Sequence, residues 1–209
     1  MIIYTLNSPA IQHLCKVDDR LSTVILRYGE IRYNVHTDPF VSLAETIIGQ
    51  MLSNKAASAI TSRLYTLCSG TLSARAVMHL DISALRGIGL SNKKAVSLSR
   101  LAELVQDIPD YFDGFMTLPD SEIINRITAL YGLGSWSAKM FLIFVMDRMD
   151  VLPYEDGAFL QAYKKLYKTD DVKPISIIKK CECWSPYTSL AARYLYRALD
   201  EGLLVDGDL

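Results

Sequence analysis

Two glycines one residue apart, Gly132-Leu133-Gly134, separate an apolar-periodic run ending at Leu130 from a second run opening with Ser135-Trp136-Ser137-Ala138-Lys139. Glycine accepts positive φ and the close approach of other groups, so both ends of this turn permit a left-handed or crowded backbone. A hairpin of this kind points the first N–H groups of the following helix outward, which makes a small anion site suited to a phosphate. On the glycines alone, an ordinary helix C-cap followed by a loop glycine is the other reading. Farther on comes an acidic pair, Glu155-Asp156, after Leu152-Pro153-Tyr154 and before Gly157-Ala158-Phe159-Leu160. By residue type Asp156 reads as a helix N-cap. At a helix start, the dipole and the amide donors favour the ionised carboxylate. The chemical inventory is therefore an anion cradle and a fixed negative charge.

The elements that must position these groups are helical. Phe40, Leu43, Ala44, Ile47 and Ile48 recur at three- and four-residue steps and lead into Gln50-Met51-Leu52-Ser53. Asn54 is the expected cap of the next helix, with Ala57, Ile60, Leu64 and Leu67 as its buried stripe. Leu85-Arg-Gly-Ile-Gly-Leu-Ser91 is a second Gly-x-Gly turn, after which Ser91 caps a helix carrying Ala95, Leu98, Leu101, Ala102 and Val105. Asp120 is the expected cap of a helix with Ile123, Ile124, Ile127 and Leu130, which feeds the main hairpin. Residues 136–147 are apolar nearly all round, as in a central buried helix. Ser185-Pro186 reads as an N-cap with proline at the first helical position, opening a helix through Leu190, Ala191, Tyr194, Leu195 and Ala198. Only residues 30–35 alternate as a strand does. The expected fold class is all-α, as one structural unit.

Composition bounds the rest. The 209 residues are 50% hydrophobic and 22% charged, an ordinary globular balance, with disorder expected only after Leu203. A net charge of -1 excludes an indiscriminate, strongly basic nucleic-acid binder, so any such contact comes from a local patch with a modest salt dependence. Of the cysteines (15, 68, 181, 183), only Cys181-Glu182-Cys183 is close, which supplies neither a structural zinc site nor an iron–sulfur loop. Reduced cysteines, no signal-peptide pattern, and a longest apolar run of only Met140–Met146 lead to the expectation of a cytoplasmic protein with no membrane span.

Five islands in order carry a family resemblance. They are Pro39-Phe40 with Gly49-Gln-Met-Leu-Ser53; Gly89-Leu-Ser-x-x-Lys94-Ala95; Gly132-Leu-Gly-Ser-Trp-Ser-Ala138; Leu152-Pro-Tyr-Glu-Asp156; and Trp184-Ser-Pro-Tyr-Thr-Ser-Leu-Ala-Ala192. In these the chain resembles the helix–hairpin–helix (HhH-GPD) DNA glycosylases, and among them the 3-methyladenine, alkylation-repair branch. The resemblance implies two helical lobes, residues 39–148 and residues 1–38 with 149–209, with Asp156 in the cleft between them. It implies a monomer that acts on damaged bases in double-stranded DNA.

The resemblance also assigns roles. Asp156 would be the catalytic carboxylate, its charge stabilising the oxocarbenium-like sugar left by the departing base and orienting the attacking water. Glu155 is the competing assignment; the family's aspartate ends the Leu-Pro-x-x-Asp run. Members with lyase activity carry a lysine where Trp136 stands and form a Schiff base through it. Trp136 therefore implies a monofunctional enzyme, and Lys139 would not substitute without a shift in helix phase. Trp136 and Tyr196 would line the base pocket, stacking on a base made cationic by alkylation; by residue type both are also ordinary packing aromatics. Trp184 and Tyr187 are read as supports of the last helix. Met51, with Leu52 as alternate, would fill the gap left by the flipped nucleotide; two core side chains is the other reading. Backbone N–H groups of Gly132, Gly134 and Trp136 would hold a phosphate. Carbonyls of Thr128, Leu130 and Leu133 would hold a monovalent cation, Na+ or K+. No other cofactor is implied.

Three positions depart from the family pattern: Tyr131 where proline is frequent, Thr188 where arginine is frequent, and the bulky, acidic Tyr154-Glu155. They bear on substrate choice more than on reaction class. Two rivals stand beside the leading expectation: the same fold acting on uracil, hypoxanthine or an oxidised purine, and a DNA-binding protein that has lost catalysis.

Overall fold

A computed structural model describes residues 1–204; the tail beyond, where disorder was expected, lies outside the described residues. Two compact units make up the chain: one runs from His36 to Met146, the other joins Met1–Val35 to the segment from Asp147 onward.

The terminal-derived unit opens with strand β1 (Ile2–Tyr4), antiparallel to β2 (Ile31–Tyr33) with Ile3 opposite Arg32. Alternation at 30–35 signalled β2, whereas three residues at the chain start are too few to show a period. Between the strands lie α1 (Pro9–Val17) and α2 (Asp19–Tyr28). Asp18 caps α2, accepting from the amides of Arg20 (3.1 Å) and Leu21 (3.0 Å).

The middle unit is helical throughout. Helix α3 (Pro39–Gly49) starts on the Asp38 cap with Pro39 at its first position, and its stripe Phe40, Leu43, Ala44, Ile47, Ile48 is buried as expected. Helix α4 (Asn54–Leu67) is capped by Ser53 rather than Asn54, the Ser53 hydroxyl accepting from the Ala56 amide at 3.3 Å. Of its expected stripe only Leu64 is fully buried, because α4 packs chiefly on α3 and leaves Leu67 exposed. Helices α5 (Ala74–Met78) and α6 (Ile82–Gly87) then lead to α7 (Asn92–Asp107), which Ser91 caps as expected. A 3-10 turn at Phe115–Thr117 precedes α8 (Asp120–Thr128), where Pro119 holds the cap position. Asp120 is thus the first helical residue, contributing charge to the helix start instead of a capping hydrogen bond. Helix α9 (Ser135–Phe144) is the buried centre of this unit, packed on α3 and α8 with Ser137–Ile143 all inside.

The chain then completes the other unit with α10 (Gly157–Tyr167), α11 (Pro174–Cys181) and α12 (Thr188–Asp200). Ser185-Pro186 does not start α12. That peptide is cis, and the Ser185 hydroxyl is spent on the Asp150 carboxylate (2.6 Å), which also accepts from Thr188 (2.5 Å). Helices α10 and α12 pack on each other and on α2 around Phe159, Trp184, Tyr194 and Leu195. Trp184 does more than support the last helix: its ring meets Phe159 edge-on and its Nε1 donates to Asp18 at 3.0 Å, where the Tyr167 hydroxyl also donates. Among the described residues no helix is long and apolar enough to cross a membrane.

Candidate active site

Asp156 stands at the head of α10. A turn closed by its amide on the Pro153 carbonyl (2.9 Å) delivers it, and its Oδ1 accepts from the Phe159 amide at 2.8 Å. The expected N-cap is therefore formed, and one carboxylate oxygen is fixed by the helix start while the side chain stays half-buried. Glu155 beside it is exposed and makes no such cap.

Tyr196, on α12, comes to the same place. Burial raises its phenol well above the ordinary tyrosine range, the charge and hydrogen bonding of Asp156 raise it further, and Arg193 opposes them. The hydroxyl thus stays protonated beside the carboxylate. Three residues earlier, buried Arg193 reaches Asp147 (Nη2–Oδ1 3.3 Å) and lies 3.8 Å over the Tyr33 ring, whose own hydroxyl donates to Asp147 at 3.1 Å. This polar cluster anchors the face of α12 that carries Tyr196.

The hairpin lies in the middle unit, between α8 and α9. Gly132 has φ +82, and a Cβ there would sit 2.6 Å from Ser97 Oγ and 2.9 Å from Ser97 Cβ. Both positive φ and close approach therefore require glycine at this position. Gly134 differs from expectation: it is extended (φ -121, ψ -172) with open space around its α-carbon, and serves as the N-cap position of α9. It brings no side chain to cap the helix, and the first amides of an α-helix have no acceptor within it. Trp136 is half-buried in this first turn. Tyr131 is pinned from α7: Ser97 Oγ donates to its carbonyl at 2.6 Å and Arg100 stacks on its ring at 4.4 Å. The Thr188 departure is likewise absorbed into structure, its hydroxyl bound by Asp150.

Carbonyls at the C-terminal end of α8 and in the turn are hard, neutral oxygens at a negative helix pole, chemistry that fits an alkali cation. The Thr128 hydroxyl turns back onto its own helix at the Ile124 carbonyl (2.8 Å), and the Leu130 carbonyl accepts from the Leu133 amide at 3.1 Å.

Met51 and Leu52 are surface residues, not core: Met51 is fully exposed with φ +57, and Leu52 is exposed beside it. Gln50 and Lys94, both within the sequence islands, support this turn. Gln50 Nε2 donates to the Gly132 carbonyl at 2.9 Å, and Lys94 Nζ donates to the carbonyls of Ile48 (2.8 Å) and Gln50 (2.6 Å). Their signal was presence in the islands; their partners are contacts that spacing does not reveal.

A helical protein with a Gly-x-Gly hairpin in one unit and an N-capping aspartate near a half-buried tyrosine in the other has the parts of a base-excision repair fold. The chain belongs to the HhH-GPD superfamily of base excision DNA repair proteins, whose pattern matches residues 44–186. It is 27% identical over 192 residues to DNA-3-methyladenine glycosylase 1 of Schizosaccharomyces pombe, covering 88% of this chain and 84% of that relative. In three dimensions it is similar to DNA-3-methyladenine glycosidase from Bacillus halodurans, with TM-score 0.80 and 31% identity over 97% of this chain and 94% of that one. It is also similar to the Schizosaccharomyces pombe 3-methyladenine DNA glycosylase (Mag1) in complex with abasic DNA, with TM-score 0.83 and 26% identity over 96% and 98% of the two chains.

Proposed function

We propose that this chain is a monofunctional DNA glycosylase that hydrolyses the N-glycosidic bond of alkylated purines, of the 3-methyladenine type, in duplex DNA. The observation that carries this reading is Asp156, a carboxylate fixed by the Phe159 amide at 2.8 Å, whose charge also raises the neighbouring Tyr196 phenol. As the bond from C1′ to the base nitrogen breaks, its electron pair leaves with the base, which an alkyl group has already made cationic, and positive charge grows on the sugar. A fixed anion lowers the energy of that state without reorganising. Water then adds its oxygen to C1′ and loses a proton to Asp156 or to solvent, leaving an abasic sugar. With Trp136 in place of a lysine, no amine is offered at that position for a Schiff base, so the strand is left intact.

The remaining roles follow the same reading. Trp136 and Tyr196 each offer an aromatic face to the flipped base, Met51 with Leu52 fills the vacated stack, and the amides of Gly132, Gly134 and Trp136 hold a phosphate. The carbonyls of Thr128, Leu130 and Leu133 would hold a monovalent cation, which supplies positive charge toward that phosphate. The protein works as a cytoplasmic monomer, gripping DNA through this local site and not through its net charge of -1.

The test is base release from methylated duplex DNA, with alkali added only afterwards. The expected result is free 3-methyladenine, with strand breaks appearing only after alkali. Breaks without alkali would overturn the monofunctional assignment. Release only from uracil, hypoxanthine or 8-oxoguanine duplexes would overturn the substrate class, and binding without release from any of them would leave a DNA-binding protein.

A further inference from the structure

The turn that presents Met51 is held far more firmly than an exposed surface turn requires. Met51 itself has φ +57, a conformation that side-chain-bearing residues rarely adopt unless the surroundings impose it. Those surroundings are identifiable. The Gln50 amide closes on the Thr46 carbonyl (3.2 Å) and the Leu52 amide on the Gly49 carbonyl (3.1 Å). Lys94 Nζ binds the Ile48 and Gln50 carbonyls at 2.8 and 2.6 Å, at the negative end of α3. The Gln50 side chain reaches the other way, to the Gly132 carbonyl at 2.9 Å and Ser137 Oγ at 3.4 Å.

Lys94 is poorly placed for its own helix. It is the third residue of α7, where the dipole disfavours a cation, and burial holds its ammonium below the ordinary lysine range. Both penalties are accepted where the ammonium crosses to α3 and closes the 48–50 segment. Gln50 then ties that same segment to the hairpin carbonyl. The turn carrying Met51 and the hairpin are thus one braced frame inside a single unit.

We propose that Lys94 and Gln50 are positioning residues that lock the 49–53 turn, so that Met51 enters the base stack already ordered, in fixed register with the hairpin that holds the phosphate. The proposal rests on the glycosylase reading for its consequence, though not for the rigidity itself. An ordered wedge matters most when the lesion is well paired and stacked, because extrusion then costs most, and matters least when the lesion has no partner base.

The experiment measures single-turnover release of a methylated purine from two duplexes, one with the normal partner base and one with an abasic site opposite. Wild type, Lys94→Met, Gln50→Leu and Met51→Ala are compared. Loss of a charge-assisted hydrogen bond sets the expected scale for Lys94→Met at about tenfold or more on the paired lesion, with little loss opposite the abasic site, and Gln50→Leu and Met51→Ala shift in the same direction. The exposed Met51→Ala change leaves the fold intact and reports the wedge itself. Hydrogen exchange at the Leu52 amide provides a readout independent of catalysis: it should accelerate in Lys94→Met while the amides of α9 stay protected. Equal losses on both duplexes, or unchanged Leu52 exchange, would overturn the brace. No release by wild type from either duplex would overturn the glycosylase reading instead, and the exchange result would still decide the brace.

Discussion

Asp156 does two jobs, and they can be separated by two substitutions. Its Oδ1 caps α10 through the Phe159 amide at 2.8 Å, and its negative charge is the proposed catalytic element. Asparagine keeps an amide oxygen for the cap, since the two residues cap about equally well, and its NH2 can donate to the Tyr196 hydroxyl. What Asp156→Asn loses structurally is the charge–dipole interaction, about 1 kcal/mol or less. In a chain of this size that lowers Tm by roughly 2–4 °C at most. Asp156→Ala removes the cap as well, about 1 kcal/mol, together with the charge that the Tyr196 phenol feels. The alanine variant should therefore melt below the asparagine variant by the value of the cap, a few degrees. Activity should not follow that order. Both lose the charge that stabilises the oxocarbenium-like state, about 2.7–4 kcal/mol, or roughly 10²–10³ in the chemical step. Single-turnover base release and thermal melting on the same preparations measure the two effects, with Glu155→Gln as the control expected to retain release. If Asp156→Asn released base within a few-fold of wild type, the charge would not be the operative feature. If Glu155→Gln abolished release instead, the neighbouring carboxylate would be the catalytic one.

The fold makes its own demands. Gly132→Ala forces a side chain into a left-handed backbone and against Ser97 Oγ at 2.6 Å, costing about 1–2 kcal/mol for the conformation and about 1–3 for overpacking. Gly134→Ala, extended with open space, should cost less than about 1 kcal/mol in the same urea titration. Asp18→Ala strips the α2 cap and the acceptor of both Trp184 and Tyr167, so chemical denaturation should show a loss of about 3 kcal/mol or more. Stability should also fall in alkali. Burial raises the phenols of Tyr33, Tyr167, Tyr194 and Tyr196 above the ordinary value of 10.0. Their contribution is complete below pH 10 and lost as pH rises toward the folded values, because the unfolded chain ionises first. Each contributes a slope of about 1.4 kcal/mol per pH unit above pH 10, and Tyr194→Phe should flatten the measured slope by that amount.

What was legible in the sequence is what a few neighbouring residues decide among themselves. The α3 stripe, the Ser91 cap and the need for glycine at position 132 are local in this sense, although the Ser97 contact that makes Gly132 so restrictive is not. Asp156 was readable as a cap because its acceptor role is satisfied three residues away, at Phe159. Where two neighbours had similar chemistry, spacing alone did not choose: Ser53 caps α4, and Asn54 opens it. Distant partners also overrode local signals. Ser185 has the residue type of a cap and Pro186 that of a first helical position, yet the Asp150 carboxylate, thirty-five residues back, takes the hydroxyl. Asp18 sits in an ordinary-looking Asp-Asp pair whose burial makes sense only once Trp184 arrives from 166 residues away. The site divides along the same line. Its charge is set by local capping geometry, whereas the hydroxyl facing that charge and the brace on the Met51 turn come from residues distant in the chain. Lys94 shows the principle most plainly. Judged by its own helix it is misplaced, a cation at a positive pole, and only the α3 carbonyls opposite give its position a physical reason. A residue that violates its local rule in this way is where a functional role is best sought, because an unfavourable local choice persists only if something elsewhere in the fold, or in the reaction, depends on it.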